Sequence, residues 1–203
     1  SQVVLLPMPQ QMVVTGGSFT IGKVMLETPV LQSEWEEFIT DAGGMIVPKS
    51  SRKIVVKLVP EVDGAKMNQE EAYRLVVSGK EIKVEATTQK GVYWALQTLR
   101  QLLPTDIEGH EYKEGVIWNV PAINVTDEPR FGYRGLMVDV ARHFIPKDHL
   151  LRIIDTMGML KFNKLHLHLT DDNGWRLEIK QYPLLTSIGS KKRPMAKAIR
   201  TDN

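Results

Sequence analysis

An α+β domain over residues 1–127, followed by a parallel β-α-β over residues 128–203, is the fold class the sequence predicts. Three observations carry it. Strand-like stretches crowd the first block with only two helical stripes among them, the pattern of a mixed sheet with helices on one face. A polar junction with a proline, Asp127-Glu128-Pro129-Arg130, then interrupts the chain. Beyond it the hydrophobic period runs from strand to helix and back to strand.

Composition narrows the function classes. The chain has 203 residues, 42% hydrophobic and 25% charged, which is globular and excludes a mostly disordered protein. Lys and Arg exceed Asp and Glu by only +2, so no bulk field draws it to nucleic acid or to an anionic membrane. The absence of cysteine excludes disulfides, thiolate metal sites and a cysteine nucleophile, and leaves the redox compartment open. No apolar run approaches the ~18 residues of a membrane span. Val3 to Leu6 is shorter than the roughly 7–15 apolar residues of a signal-peptide core.

The first block reads in order. Pro7 and Pro9 keep the start extended, Gly16-Gly17 marks a turn, and Phe19 to Val24 begins a strand. Thr28-Pro29 signals a helix start, and Leu31, Trp35, Phe38 and Ile39 form one helical stripe that Gly43-Gly44 ends. Ile54 to Val59 is a β-branched run suited to a buried strand. Tyr73 to Val77 and Ile82 to Ala86 alternate around Ser78-Gly79-Lys80 and predict a hairpin. From Gln89 the period becomes helical through Leu103, and Pro104 stops it. Val116 to Trp118 and Ala122 to Val125 read as short strands, the second an edge strand because it follows Pro121. Trp35, Tyr73, Tyr93 and Trp94 invite comparison with a sugar-stacking platform, but most sit at periodic positions, which favours core packing. No phosphate loop, metal-spaced His/Glu helix or nucleophile elbow occurs in this block.

In the second block a strand spans Leu136 to Val140, and Pro146 opens a helix with Leu150, Ile153, Ile154, Met157 and Leu160 on one stripe. Asn163 closes it. The run LHLHLTDD then alternates Leu165, Leu167 and Leu169 with His166, His168 and Thr170. Parallel strands put Arg142-His143 and Asp171-Asp172 at one carboxyl edge, where α/β proteins build their sites. A guanidinium fork and a carboxylate facing one pocket suit a neutral polyhydroxylated ligand. Duller readings compete: Arg142 pairing with Asp139 at the surface, Asp171-Asp172-Asn173-Gly174 as a tight turn, Asp127-Glu128 as a linker doublet, and Lys191-Lys192-Arg193 as a solvated run. His166 and His168, two apart on a strand, are a weak metal signal.

At RGLMVDVARHF and NKLHLHLTDDNGWRLEI the sequence resembles the family 20 glycoside hydrolases, the β-N-acetylhexosaminidases. EAYRLVVSGKEIKVEATTQKGVYWALQTLRQLLP resembles that family's small non-catalytic domain. The resemblance implies the start of a (β/α)8 TIM barrel. It also implies retaining hydrolysis of terminal β-linked GlcNAc or GalNAc, in which the substrate's acetamido group attacks its own anomeric carbon to give an oxazoline. Arg142 matches the arginine that holds the sugar's 3- and 4-hydroxyls. Asp171 matches the aspartate that orients the acid glutamate through a later histidine, and His168 a structural histidine beside it. Neither a metal nor a cofactor is implied. The partners implied are amino-sugar glycans, and the location is extracytoplasmic.

One departure is large. The family's catalytic Asp-Glu pair lies in a GGDE-like motif after the fourth barrel strand, and no such motif occurs here. Asp127-Glu128 precedes the first barrel strand and cannot replace it. A whole barrel takes about 250 residues, so the expectation is a fragment, inactive alone: the small domain and the first quarter of the barrel. Its second part is expected to lean on the first, to pair with another copy through unpaired strands, or to be poorly ordered. The competing expectation is a non-catalytic carbohydrate-binding or scaffold module with a degenerate barrel.

Overall fold

The computed structural model describes residues 3–110 and 112–191, and Lys192 and Arg193 of the basic run lie outside them. The chain divides into two compact units. The first comprises residues 1–132 together with a short return, 158–161; the second comprises 133–157 and the chain from 162 onward.

The first unit is a mixed seven-stranded sheet with helices. Its strands are β1 (Gln11–Thr20), β2 (Lys23–Glu27), β3 (Met45–Ile46), β4 (Lys53–Leu58), β5 (Tyr73–Val77), β6 (Glu81–Ala86) and β7 (Asn119–Asp127). They lie in the order β1-β7-β5-β6-β4-β2-β3. Helices α1 (Gln32–Asp41) and α2 (Gln89–Leu102) share one hydrophobic cluster with the sheet, joining Trp35, Phe38, Leu96 and Leu99 to Leu75, Ile82 and Val84. The alternation seen in sequence is the cause, because period 2 puts Tyr73, Leu75 and Val77 on the buried side. The expected hairpin is present as the antiparallel pair β5–β6. Trp35, Tyr73 and Trp94 are buried and Tyr93 packs against the cluster, so these aromatics are core.

Local chemistry shifts several expected boundaries. Gly16-Gly17 is a bulge inside β1, where both residues have φ of 87° and the register against β7 shifts between Val14 and Ser18. Helix α1 starts three residues beyond Pro29, after Leu31 in the left-handed region, because the Thr28 hydroxyl closes a local turn by donating to the Val30 carbonyl at 2.6 Å. Val116 to Trp118 is not a strand, and β7 runs unbroken from Asn119. Far from being an edge, β7 lies between β1 and β5. Pro121 is tolerated because it faces Ser18 at the β1 bulge, before pairing with β5 begins at Ile123.

The junction doublet is not a solvated linker. Asp127 and Glu128 are both buried. Glu128 accepts hydrogen bonds at 2.6 Å from the backbone N–H groups of Lys66, Met67 and Asn68. Burial opposes its charge, but the three amides outweigh that and hold its carboxyl below the ordinary range. Asp127 accepts from Lys161 Nζ at 3.0 Å and from the Tyr73 hydroxyl at 3.2 Å. Burial, and next the charge of Asp127, push the Tyr73 hydroxyl well above its ordinary pKa. Lys161 also donates to Tyr73 at 2.8 Å and is itself buried.

The second unit pairs β8 (Gly135–Asp139) in parallel with β9 (Lys164–His168), connected through α3 (Lys147–Met159). A two-residue ladder, β10 (Thr170–Asp171) with β11 (Gly174–Trp175), comes next, and then a short helix α4 (Pro183–Ser187). Asn163 does not close α3. The helix ends four residues earlier, Lys161 turns the chain with φ of 61°, and the Asn163 side chain accepts from the Arg134 N–H instead. Of the stripe on α3, Met157 is buried whereas Ile154 is exposed.

Candidate functional site at the carboxyl ends of β8 and β9

Parallel register sets the site. Asp139, the last residue of β8, lies beside His168, the last of β9. The residues directly after each strand therefore share one edge. The turn after β8 is closed by Asp139, whose carboxylate accepts from the N–H groups of Ala141 and Arg142 at 3.0 and 2.9 Å, an Asx-type turn. Those hydrogen bonds, with that from Arg142 foremost, lower the Asp139 pKa, and the charges of His168 and Arg142 add to the effect. Val140 and Ala141 both donate to the His168 carbonyl, at 3.2 and 3.3 Å, which ties the turn to β9.

The Arg142 guanidinium bridges two carboxylates, Asp139 at 3.2 Å and Asp171 at 3.0 Å. The surface pairing with Asp139 that one sequence reading expects is present, and the same guanidinium also reaches Asp171. The Arg142 side chain stays 61% exposed while those of Asp139 and Asp171 are mostly covered, so the remaining guanidinium edge faces outward. Asp171 accepts from His168 Nε2 at 2.9 Å and, on its other oxygen, from the Asp172 N–H at 2.8 Å. Hydrogen bonding with the Asp172 side chain, then the His168 imidazole and the Asp172 amide, hold its carboxyl far below the ordinary range, and the field of Arg142 adds to this. Asp172-Asn173 also make the tight turn between β10 and β11.

Arg142, His168 and Asp171 thus form one contiguous polar network. A cavity of about 680 Å³ opens beside it, and Arg142, His143, Phe144, Asn173, Trp175 and Glu178 lie in its wall. A charged fork next to aromatic surface can take hydroxyl groups on one side and the apolar face of a ring on the other. His166 is exposed and joins no metal-competent group among the described residues. Glu37, Asp41 and His110 are close enough to share an ion. The Arg100 guanidinium lies 3.3 Å from the Nε2 of that imidazole, so the cluster reads as an ion-pair knot. Sequence reasoning kept Arg176 off the substrate and assigned it no other role; its side chain spends its N–H groups on the backbone carbonyls of Val140, Ala141 and Ser190. The only sequence signal was its place directly after the turn and Trp175.

Fold and network together define a protein of two modules, an α+β mixed sheet and a parallel β-α-β with a polar network at the carboxyl ends of its strands. Residues 2–128 match the family model "Glycosyl hydrolase family 20, domain 2", and residues 131–202 match "Glycosyl hydrolase family 20, catalytic domain". The chain belongs to glycosyl hydrolase family 20. It is 41% identical over 131 residues to a beta-hexosaminidase of Porphyromonas gingivalis, covering 64% of this chain and 17% of that protein. It is 39% identical over 139 residues to an N,N'-diacetylchitobiase of Vibrio harveyi, covering 68% and 15%. The solved exo beta-N-acetylglucosaminidase of Vibrio harveyi in complex with N-acetylglucosamine superimposes with a TM-score of 0.75 at 34% identity, over 91% of this chain and 28% of that one. The beta-N-acetylhexosaminidase of Streptomyces coelicolor gives a TM-score of 0.74 at 29% identity, over 90% and 38%. The chain therefore spans about a sixth of the length of these curated relatives.

Proposed function

We propose that these residues supply the sugar-gripping part of an exo-acting β-N-acetylhexosaminidase that releases terminal β-linked GlcNAc or GalNAc. The observation that carries it is the Arg142–Asp171–His168 network at one strand edge, in a chain of this family. The outward edge of Arg142 donates to two neighbouring ring hydroxyls, while Asp139 and Asp171 keep the guanidinium flat and fixed. In the reaction the acetamido carbonyl oxygen bonds to the anomeric carbon as the glycosidic C–O bond breaks, and the departing oxygen takes a proton from a carboxylic acid. Water then opens the oxazoline from the face the leaving group left, so configuration is retained. The 203 residues hold no GGDE-like pair, and the acid comes from a carboxyl outside them. Asp171 acts at a distance, anchoring the partner that orients that acid.

The test is hydrolysis of a nitrophenyl β-N-acetylglucosaminide by the full-length protein that carries these residues. Arg142→Ala is expected to lower kcat/KM at least about a hundredfold, the scale of one lost charge-assisted contact of about 3 kcal/mol in the transition state. An unchanged kcat/KM would remove Arg142 from the subsite. The 203-residue chain alone is expected to give no turnover, and hydrolysis by a clean preparation would place the acid within it.

A further inference from the structure

The backbone that presents Arg142 is secured on its N–H side by Asp139 and the end of β9. Its carbonyl side is held by another group. Arg176 donates from Nε to the Val140 carbonyl at 2.8 Å and from Nη2 to the Ala141 carbonyl at 3.1 Å, and its Nη1 donates to the Ser190 carbonyl. Its guanidinium lies over the Phe144 ring, 5.3 Å from the centroid. Arg176 therefore grips the chain on both sides of Arg142, the two peptides before it and the aromatic ring two residues after. Its own N–H donates to the Leu169 carbonyl at 2.8 Å, which roots it at the end of β9. Close approach at this point needs Gly174, because a Cβ there would stand 2.7 Å from both the Ala141 carbonyl oxygen and Arg176 Nη2.

We infer that Arg176 is a positioning residue: it fixes the direction of the Arg142 fork and touches no part of the sugar itself. The inference rests on the proposed role of Arg142 at ring hydroxyls. Three donors of a planar fork meet three carbonyls, an arrangement that a lysine ammonium on a flexible stem cannot reproduce. Without it the Val140 and Ala141 carbonyls lose a charged donor, and the turn is free to rotate Arg142 off its hydroxyls. A displacement of about 1 Å is enough to cost on the order of a hundredfold in rate.

The experiment compares Arg176→Gln, Arg176→Lys, Arg142→Ala and the Arg176→Gln/Arg142→Ala double variant in the full-length protein. The substrates are nitrophenyl β-N-acetylglucosaminide and its 4-deoxy analogue. Arg176→Gln should lower kcat/KM by about ten- to a hundredfold on the hydroxylated substrate and far less on the 4-deoxy one. Arg176→Lys should not restore the loss, and the double variant should match Arg142→Ala alone. Equal losses on both substrates, a further loss in the double variant, or no loss at all would overturn the inference. If Arg142→Ala itself leaves turnover unchanged, the functional reading fails, and amide hydrogen exchange in this chain then judges Arg176. Arg176→Gln should speed exchange at Ala141 and Arg142 by about tenfold or more while Leu136 to Val138 stay protected; unchanged exchange at those two amides would sink the idea independently of any substrate.

Discussion

Asp171 receives the His168 imidazole and the Arg142 guanidinium on one oxygen and the Asp172 amide on the other. Each partner favours the anion, so the folded-state pKa lies below the value of about 3.9 for an unfolded aspartate. Between those two values the native state binds fewer protons than the unfolded chain. The contribution of Asp171 to stability is therefore complete above the ordinary value and is lost as pH falls through the depressed one. An NMR titration of the Asp171 carboxyl carbon is expected to show no midpoint near the ordinary value of about 3.9; an ordinary midpoint would contradict the network. Arg142 and Asp171 were legible in sequence because strand period and parallel pairing put the residues after β8 and after β9 at one edge. Arg176 was not, since its partners are main-chain carbonyls, which carry no residue-type signature.

At the scale of elements, the segment 66–68 is shaped by a single distant carboxylate. Glu128 reaches back about sixty residues and satisfies three consecutive N–H groups that would otherwise lose their partner in a part-buried place. Glu128→Gln keeps the shape but turns an NH2 group toward at least one of those amides. It is expected to cost about 1.5–3 kcal/mol, read as a lower urea midpoint with an unchanged slope. The wild-type advantage should be full above about pH 4.5 and fade as acid protonates the carboxyl, because its folded pKa is the lower one. A variant as stable as the parent at neutral pH would refute the brace. Helices α1 and α2 and the β5–β6 hairpin were readable because their periodic faces are buried. The bulge at Gly16-Gly17 and the central place of β7 were not. A glycine pair and a proline each fit two backbone geometries, and only the facing strand decides between them.

For the whole molecule, the change from a mixed sheet to a parallel β-α-β was visible as a change in hydrophobic period. What the period did not disclose is that residues 158–161 count with the first unit. A left-handed lysine at a helix end has no pattern to announce it, and Lys161 is legible only once Asp127 and Tyr73 are seen around its ammonium. Buried pairs of this kind add little net stability when intact but cost about 3–5 kcal/mol when one partner is removed, because a charge is left without a counter-charge. Lys161→Met should therefore lower the unfolding free energy by roughly that amount, and adding Asp127→Asn should recover most of it. Calorimetry on the two variants checks this, and independent, additive effects would argue against the pair.

Anyone dissecting this protein for expression would cut near residue 130, where the two family models meet. A piece ending there keeps Asp127 in its dry setting and discards the ammonium that neutralises it, for the lysine lies some thirty positions downstream. The excised module should be a poor folder with the native aspartate and a better one with asparagine, so the practical frontier of the folding unit runs through Lys161.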